Sequence, residues 1–203
     1  MIIVTGSNTG VGYHTARILY QANATVYVAA RSESKALSAM ESIKSSHPSS
    51  SGSLHFLKLD LSDLMSIQTS ANEFLSKETR LDVLVNNAGV MGPPAGSKSA
   101  QGHELQYATN ILGPFMFTKL LLPILAETAK TAPKDSVRVS WAGSAVIEGS
   151  PKGGINFNED GSPYDFKTGG IPAYITSKVA NMFLGYEFGK RSGNKDGVLH
   201  NVS

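Results

Sequence analysis

The opening segment, from Met1 to Ala30, constrains the fold more than any other stretch. Met1 to Thr5 is a short β-branched apolar run, and Ala24 to Ala30 is a second. Between them Gly6, Gly10 and Gly12 open a segment in which Val11, Ile18 and Leu19 recur at helical spacing. Strand, glycine turn, helix and strand in this order predict a βαβ unit with a right-handed crossover. The glycines permit a tight turn and let backbone approach a pyrophosphate seated on the positive end of the helix. The spacing Thr5-Gly6-x-x-x-Gly10-x-Gly12 differs from Gly-x-Gly-x-x-Gly, and no Gly-Lys-Ser/Thr follows, which disfavours a P-loop. A glycine-rich turn that binds nothing is the alternative.

The alternation continues along the chain. Helical patterns cover Ser34 to Lys44, Asp63 to Lys77 and Glu104 to Thr128, the last interrupted at Gly113-Pro114. Strand patterns cover Leu54 to Leu59, Leu81 to Val85, Val137 to Ala142 and Val198 to Val202. Strands alternating with helices predict an α/β fold, a doubly wound parallel sheet of six strands covered on both faces. The 203 residues show no internal repeat or linker and are read as one domain. A net charge of +2 gives no reason to expect nucleic acid or a membrane surface as partner, and no apolar run is read as long enough to cross a bilayer. The five His show no ligand spacing, Cys is absent, and no signal peptide opens the chain. A soluble cytoplasmic protein is the expectation.

A second informative stretch runs from Ile171 to Gly189. Pro172 suits the first turn of a helix, and Val179, Met182, Phe183 and Tyr186 recur at helical spacing, predicting one buried stripe. Tyr174 and Lys178 stand four apart and so share a face. A phenol ordinarily titrates near pH ~10, and a neighbouring ammonium favours its ionised form. A tyrosine so placed is able to give a proton to a carbonyl or take one from an alcohol. An exposed helix face is the alternative for this pair taken alone.

Thr5-Gly6-Ser7-Asn8-Thr9-Gly10-Val11-Gly12, Asn86-Asn87-Ala88-Gly89, Asn110, Ser144 and Tyr174-Ile-Thr-Ser-Lys178 occur in one order. Together they resemble the short-chain dehydrogenases/reductases over essentially the whole chain. Asn110-Ile-Leu-Gly-Pro-Phe and Pro151-Lys-Gly-Gly are most similar to the retinol-dehydrogenase-like branch and its fungal relatives. The resemblance implies that Tyr174 is the general acid/base, that Lys178 assists it and holds the nicotinamide ribose, and that Ser144 binds the substrate oxygen. It implies that Asn110 anchors a water behind Lys178. It also implies cofactor contacts from Gly6, Ser7, Asn8, Gly10, Val11, Gly12, Asp60, Leu61, Asn87, Ala88 and Gly89, as well as from Tyr174 and Lys178.

Some of these roles have local support. Ser144 lies just past the fifth strand, where open parallel sheets bind ligands, whereas Ser140 is mid-strand and is expected in the ladder. Relatives usually carry Ser-Ser where this chain has Gly143-Ser144. Pro114 lacks an N–H, so the Asn110 carbonyl loses its helical partner and needs a water or another donor. Asn86 and Asn87 are equally suited to tying strand to loop. At the end of the second strand an acidic residue would bind the ribose 2′-hydroxyl of NAD, but the sequence reads Ala29-Ala30-Arg31-Ser32. Arg31 suits a 2′-phosphate, so NADP(H) is the expected cofactor.

The expected activity is therefore NADP(H)-dependent hydride transfer to or from a small-molecule carbonyl or alcohol. A non-catalytic nucleotide-binding remnant is the alternative. In a sugar-nucleotide epimerase, which shares Tyr-x-x-x-Lys, the glycine spacing would be different. The resemblance implies further elements after the sixth strand that complete the substrate pocket, so the 203 residues are expected to be a C-terminally truncated unit, poorly soluble and weakly active alone. It also implies a homodimer through the Glu104–Thr128 and Pro172–Gly189 helices.

Overall fold

The computed structural model describes residues 1–163, 166 and 169–203. Six strands form one parallel sheet: β1 (Ile2–Thr5), β2 (Thr25–Ala30), β3 (Ser53–Lys58), β4 (Val83–Asn86), β5 (Arg138–Trp141) and β6 (Leu199–Val202), in the order β3-β2-β1-β4-β5-β6. The chain reverses its direction of winding between β1 and β4, which is the switch point where ligands bind in such sheets. The helices are α1 (Gly10–Gln21), α2 (Glu33–Ser46), α3 (Leu64–Lys77), α4 (Leu105–Ala129) and α5 (Gly170–Phe188). The doubly wound α/β architecture is the one expected from the sequence.

Alternation along each strand divides the core in two. Ile3, Tyr27 and Ala29 face one layer with Phe74 and Leu81 of the α3 side and Phe117, Leu121 and Leu125 of α4. Val4, Val26, Val28 and Ala30 face the other, with Ala16 and Tyr20 of α1 and Met40 and Ile43 of α2. Successive side chains of a strand point to opposite faces, so a sheet buried on both sides needs apolar residues at nearly every position.

Two helix faces differ from expectation. On α1 the buried residues are Gly12, Ala16 and Tyr20, whereas Val11 and Ile18 are exposed. On α5 the buried face carries Ala173, Ser177, Val179, Ala180 and Gly185, and Met182, Phe183 and Tyr186 are exposed. Both helices lie too close to the sheet for large side chains: a Cβ on Gly185 would lie 3.2 Å from Trp141 and 2.9 Å from Val202. On α3 the helical spacing of Leu64, Ile67, Ala71, Phe74 and Leu75 predicts one inner side, but Leu75 is exposed.

Helix α4 is irregular over Ala108–Leu112, where a π turn precedes Gly113-Pro114. By length and a mean hydropathy of 1.4, α4 is apolar enough to cross a membrane, which corrects the expectation that no segment is. Here its inner side packs into the core through Phe117, Leu121 and Leu125.

Candidate active site

At the switch point a cleft of about 410 Å³ opens over the carboxyl ends of β1, β2 and β4 and the loop after β3. Gly6, Asn8 and Val11 line it from the first turn, and Arg31, Asp60 and Leu61 from the ends of β2 and β3. Asn87, Ala88 and Gly89 line it from the loop after β4. Nine of the residues expected at the cofactor thus meet in one place.

The turn is shaped by contacts that exclude side chains. Gly6 has φ +66°, and a Cβ there would meet Ala88 Cα at 2.9 Å. A Cβ on Gly12 would lie 2.5 Å from Asn87 Nδ2 and 2.7 Å from the Gly6 carbonyl. Gly10, at φ +56°, faces open space, and Thr9 at the N-cap makes no side-chain capping bond. The first N–H groups of α1 are thus left without a capping side chain, and such groups at a helix start are the ones that receive phosphate. Gly10 and Gly12 shape the turn without lining the cleft, and Ser7 is buried with its Oγ donating to the Val4 carbonyl at 2.7 Å.

Thr5 holds the opposite wall, a role the sequence did not signal. Its Oγ1 accepts from the N–H groups of Asn87 and Ala88, both at 3.0 Å, and its carbonyl accepts from Asn87 Nδ2 at 2.9 Å. Asn87 thus both ties strand to loop and faces the cleft, whereas Asn86 is buried and bonds Thr118 Oγ1 at 2.9 Å. Asp60 Oδ1 accepts from Ser62 N and Oγ at 2.9 and 2.6 Å. Thr109, also in the wall, carries a buried Oγ1 with no partner among the described residues.

Charge at the far end of the cleft is positive. Arg31 is exposed and has no carboxylate partner among the described residues. Lys58 donates from Nζ to the Arg31 carbonyl at 2.7 Å, because β3 ends beside β2 in the register Ala30 to Lys58. The nearness of Lys58 to Arg31 depends on this strand register and has no signal in the local sequence. An uncapped helix start, a buried hydroxyl in the wall without a partner among the described residues and two cations at one end fit a dinucleotide with its phosphates.

The four expected catalytic residues lie beside this cleft, not in its lining. Tyr174 is half-buried on α5, and the Nζ of Lys178 stands 5.5 Å from its ring centroid. Lys178 is only 5% exposed and donates to the Ala142 carbonyl at 3.0 Å, just past β5. Burial lowers its pKa below the usual lysine value. Ser144 caps a 3-10 turn over Ala145–Gly149, its Oγ accepting from Val146 N at 3.4 Å. Ser140 sits in β5 in register with Asn201, as a ladder residue should.

Asn110 is buried in the π turn and staples three groups. Its Oδ1 accepts the Val90 N–H at 2.8 Å, and its Nδ2 donates to the Val90 carbonyl at 2.9 Å and to Ser177 Oγ at 3.0 Å. Its side chain is thus committed to the cleft wall and to α5, and makes no direct bond to Lys178.

A doubly wound sheet with a cleft at its switch point beside a glycine turn, and a Tyr-Lys pair next to it, defines a class of nucleotide-dependent proteins. The sequence pattern of short chain dehydrogenases matches residues 1–132. The chain belongs to the short-chain dehydrogenase/reductase family. It is 50% identical over 198 residues to a short-chain dehydrogenase/reductase of Phomopsis amygdali, covering 97% of this chain and 59% of that protein. It is 47% identical over 197 residues to another of Emericella nidulans, covering 97% and 62%. The chain therefore spans about three-fifths of the length of these curated relatives. Among solved structures, an uncharacterized Mycobacterium paratuberculosis protein superposes with a TM-score of 0.78 at 31% identity, over 99% of this chain and 66% of that one. RhlG of Pseudomonas aeruginosa, solved as an NADP active-site complex, gives 0.74 at 27% identity over 99% and 70%.

Proposed function

We propose that this chain forms the cofactor-binding and proton-transferring part of an NADP(H)-dependent oxidoreductase acting on a small carbonyl or alcohol. The observation that carries the proposal is the buried Lys178, fixed between the Ala142 carbonyl and the Tyr174 ring. An ammonium that has given up most of its water is costly unless it has partners, and here they are the Ala142 carbonyl and the face of the Tyr174 ring.

When bound, the nicotinamide supplies or accepts the hydride. The chain's residues do the rest. The first turn of α1, between Gly6 and Gly12, receives the pyrophosphate, and Arg31 with Lys58 faces the 2′-phosphate. Ser144 orients the substrate oxygen by hydrogen bonding. Tyr174 gives its phenolic proton to that oxygen in reduction and takes it back in oxidation. Lys178 stabilises the negative charge left on the phenolic oxygen and reaches toward the cofactor ribose. A remnant that only binds nucleotide gains no support from a lysine buried and aimed in this way. A homodimer through α4 and α5 is part of the proposal, since Phe115, Met182, Phe183 and Tyr186 are exposed there.

The test is Tyr174→Phe, which keeps the ring and removes the proton. Turnover of NADPH with a panel of aldehydes and ketones should fall by at least ~100-fold, the usual scale for a lost general acid. NADPH binding, followed by its fluorescence, should persist. Near-normal turnover in the variant would sink the mechanism.

A further inference from the structure

The first turn of α4 buries an amide that the chemistry above does not use. Gln106 is 0% exposed, and a buried carboxamide needs partners at both ends. Its Oε1 accepts the Gly92 N–H at 3.2 Å, and its Nε2 donates to the Gly170 carbonyl at 3.0 Å, with a longer contact of 3.4 Å to Glu104 Oε1. Gly92 follows the loop that walls the cleft, and Gly170 is the first residue of α5. In an α-helix the carbonyl of residue 170 is the partner of the N–H of residue 174. Gln106 therefore grips the helical turn on which Tyr174 stands.

The described residues that start this turn are conformationally permissive. The N-cap residue Gly169 has φ 69° and no side-chain cap, and Gly170 has φ +70°. Two glycines in the left-handed region leave the helix free to leave the loop at many angles. The second observation is the repetition of the bridge. Asn110, four residues on and so on the same face of α4, joins Val90 to Ser177. The two amides make parallel rungs: Gly92 to Gly170 through Gln106, and Val90 to Ser177 through Asn110.

We infer that Gln106 is a positioning residue that sets the Tyr174 turn against the wall of the cofactor cleft. The inference rests on the proposal that Tyr174 transfers the proton, and adds a residue that decides how well it does so. A displacement of about 1 Å at a reacting group costs on the order of 100-fold in rate, so a loosened turn acts on the catalytic step. A residue that served packing alone would lower stability and leave that step untouched in the folded fraction.

The experiment compares the parent chain with Gln106→Met, which is similar in length and lacks both polar ends, and Gln106→Glu, which loses the donor to Gly170. Amide hydrogen exchange is followed by segment, NADPH affinity by fluorescence, and kcat and KM with 4-nitrobenzaldehyde and NADPH. Exchange over 170–178 should accelerate about tenfold in both variants while 180–188 stays as in the parent. The NADPH Kd and the KM should stay within about threefold while kcat falls at least about tenfold, the signature of an interaction used in the transition state. Unchanged exchange over 170–178, equal acceleration everywhere, or an unchanged kcat would each overturn the inference. If the parent reduces 4-nitrobenzaldehyde at a rate that Tyr174→Phe leaves unchanged, the proton-transfer proposal fails, and the exchange comparison still decides whether Gln106 holds the turn. If Gln106→Met does not fold, Gln106→Asn, which keeps both amide ends one methylene shorter, carries the same comparison.

Discussion

Acidification should weaken this fold through one side chain, His200. Its ring lies over Phe188, with centroids 5.3 Å apart and planes 15° apart, and beside Trp141 at 6.4 Å and 26°. Trp141 Nε1–H donates to His200 Nδ1 at 3.3 Å, so Nδ1 holds the lone pair and Nε2 carries the hydrogen toward Ser192 Oγ at 3.4 Å. Its partners among the described residues are all uncharged. Burial lowers its pKa from 6.5 to about 4. An imidazolium would also set an N–H against the indole N–H. The unfolded chain takes up this proton near pH 6.5 and the folded chain near 4, so the stabilisation is whole above 6.5 and is lost as pH falls toward 4. For a fully buried ring the loss by about pH 5 is about 2 kcal/mol, and halving it for the solvent that reaches a half-buried ring leaves about 1 kcal/mol. With a urea slope of about 2 kcal/mol per molar, the denaturation midpoint should fall by about 0.5 M between about pH 8 and about pH 5. His200→Gln does not titrate and should lose most of that dependence. Equal pH slopes in parent and variant, or an NMR titration placing the imidazole near 6.5, would refute the reasoning.

Two further outcomes follow from the cleft. Arg31→Ala should lower NADPH affinity about tenfold and leave NADH affinity nearly unchanged, because a charge-assisted contact to the 2′-phosphate is lost. Equal binding of the two cofactors by the parent in fluorescence titrations would remove the basis for it. Gly12→Ala places a Cβ 2.7 Å from the Gly6 carbonyl, a backbone atom that cannot swing away. It should weaken NADPH binding at least about tenfold, and calorimetry should also show a lower melting temperature, since overpacking costs about 1–3 kcal/mol.

The strands were legible because β1 and β2 are buried on both faces and almost wholly apolar, while β3, β5 and β6, with polar residues among the apolar ones, are still short runs bounded by turn residues. All six match the expected ones to within a residue or two at each end. Helix faces were harder. Spacing of large apolar residues gave Val11, Ile18, Met182, Phe183 and Tyr186 as inward, yet these are exposed. Where a helix lies close over a sheet the inward residues are small, and Gly12, Ala16, Ala173 and Gly185 give little signal in a hydrophobic pattern. Motif residues could be placed because each sits at the end of a strand or in the first turns of a helix. Gln106, Thr5 and Lys58 went unseen because their partners are distant in sequence. The single clue to Gln106 was a polar residue one turn before Asn110.

How Tyr174 is held follows from the same polar groups. Thr5 at the end of β1 binds the N–H groups of Asn87 and Ala88, and so fixes the start of the cleft loop. That loop continues to Val90, which Asn110 holds by both backbone groups. Asn110 Nδ2 donates to Ser177 Oγ, and Ser177 Oγ donates in turn to the Tyr174 carbonyl at 2.7 Å. The hydrogen-bonded path from the sheet to Tyr174 thus runs through short side chains and ends on backbone. Such side chains lose little rotamer entropy on ordering. An anchor on the carbonyl of Tyr174, together with the grip of Gln106 one turn earlier, fixes where the phenol stands without occupying its hydroxyl. The proposed role of Tyr174 as general acid asks for a residue held by its backbone with the reacting group left open, and the Ser177 contact to its carbonyl is of that kind.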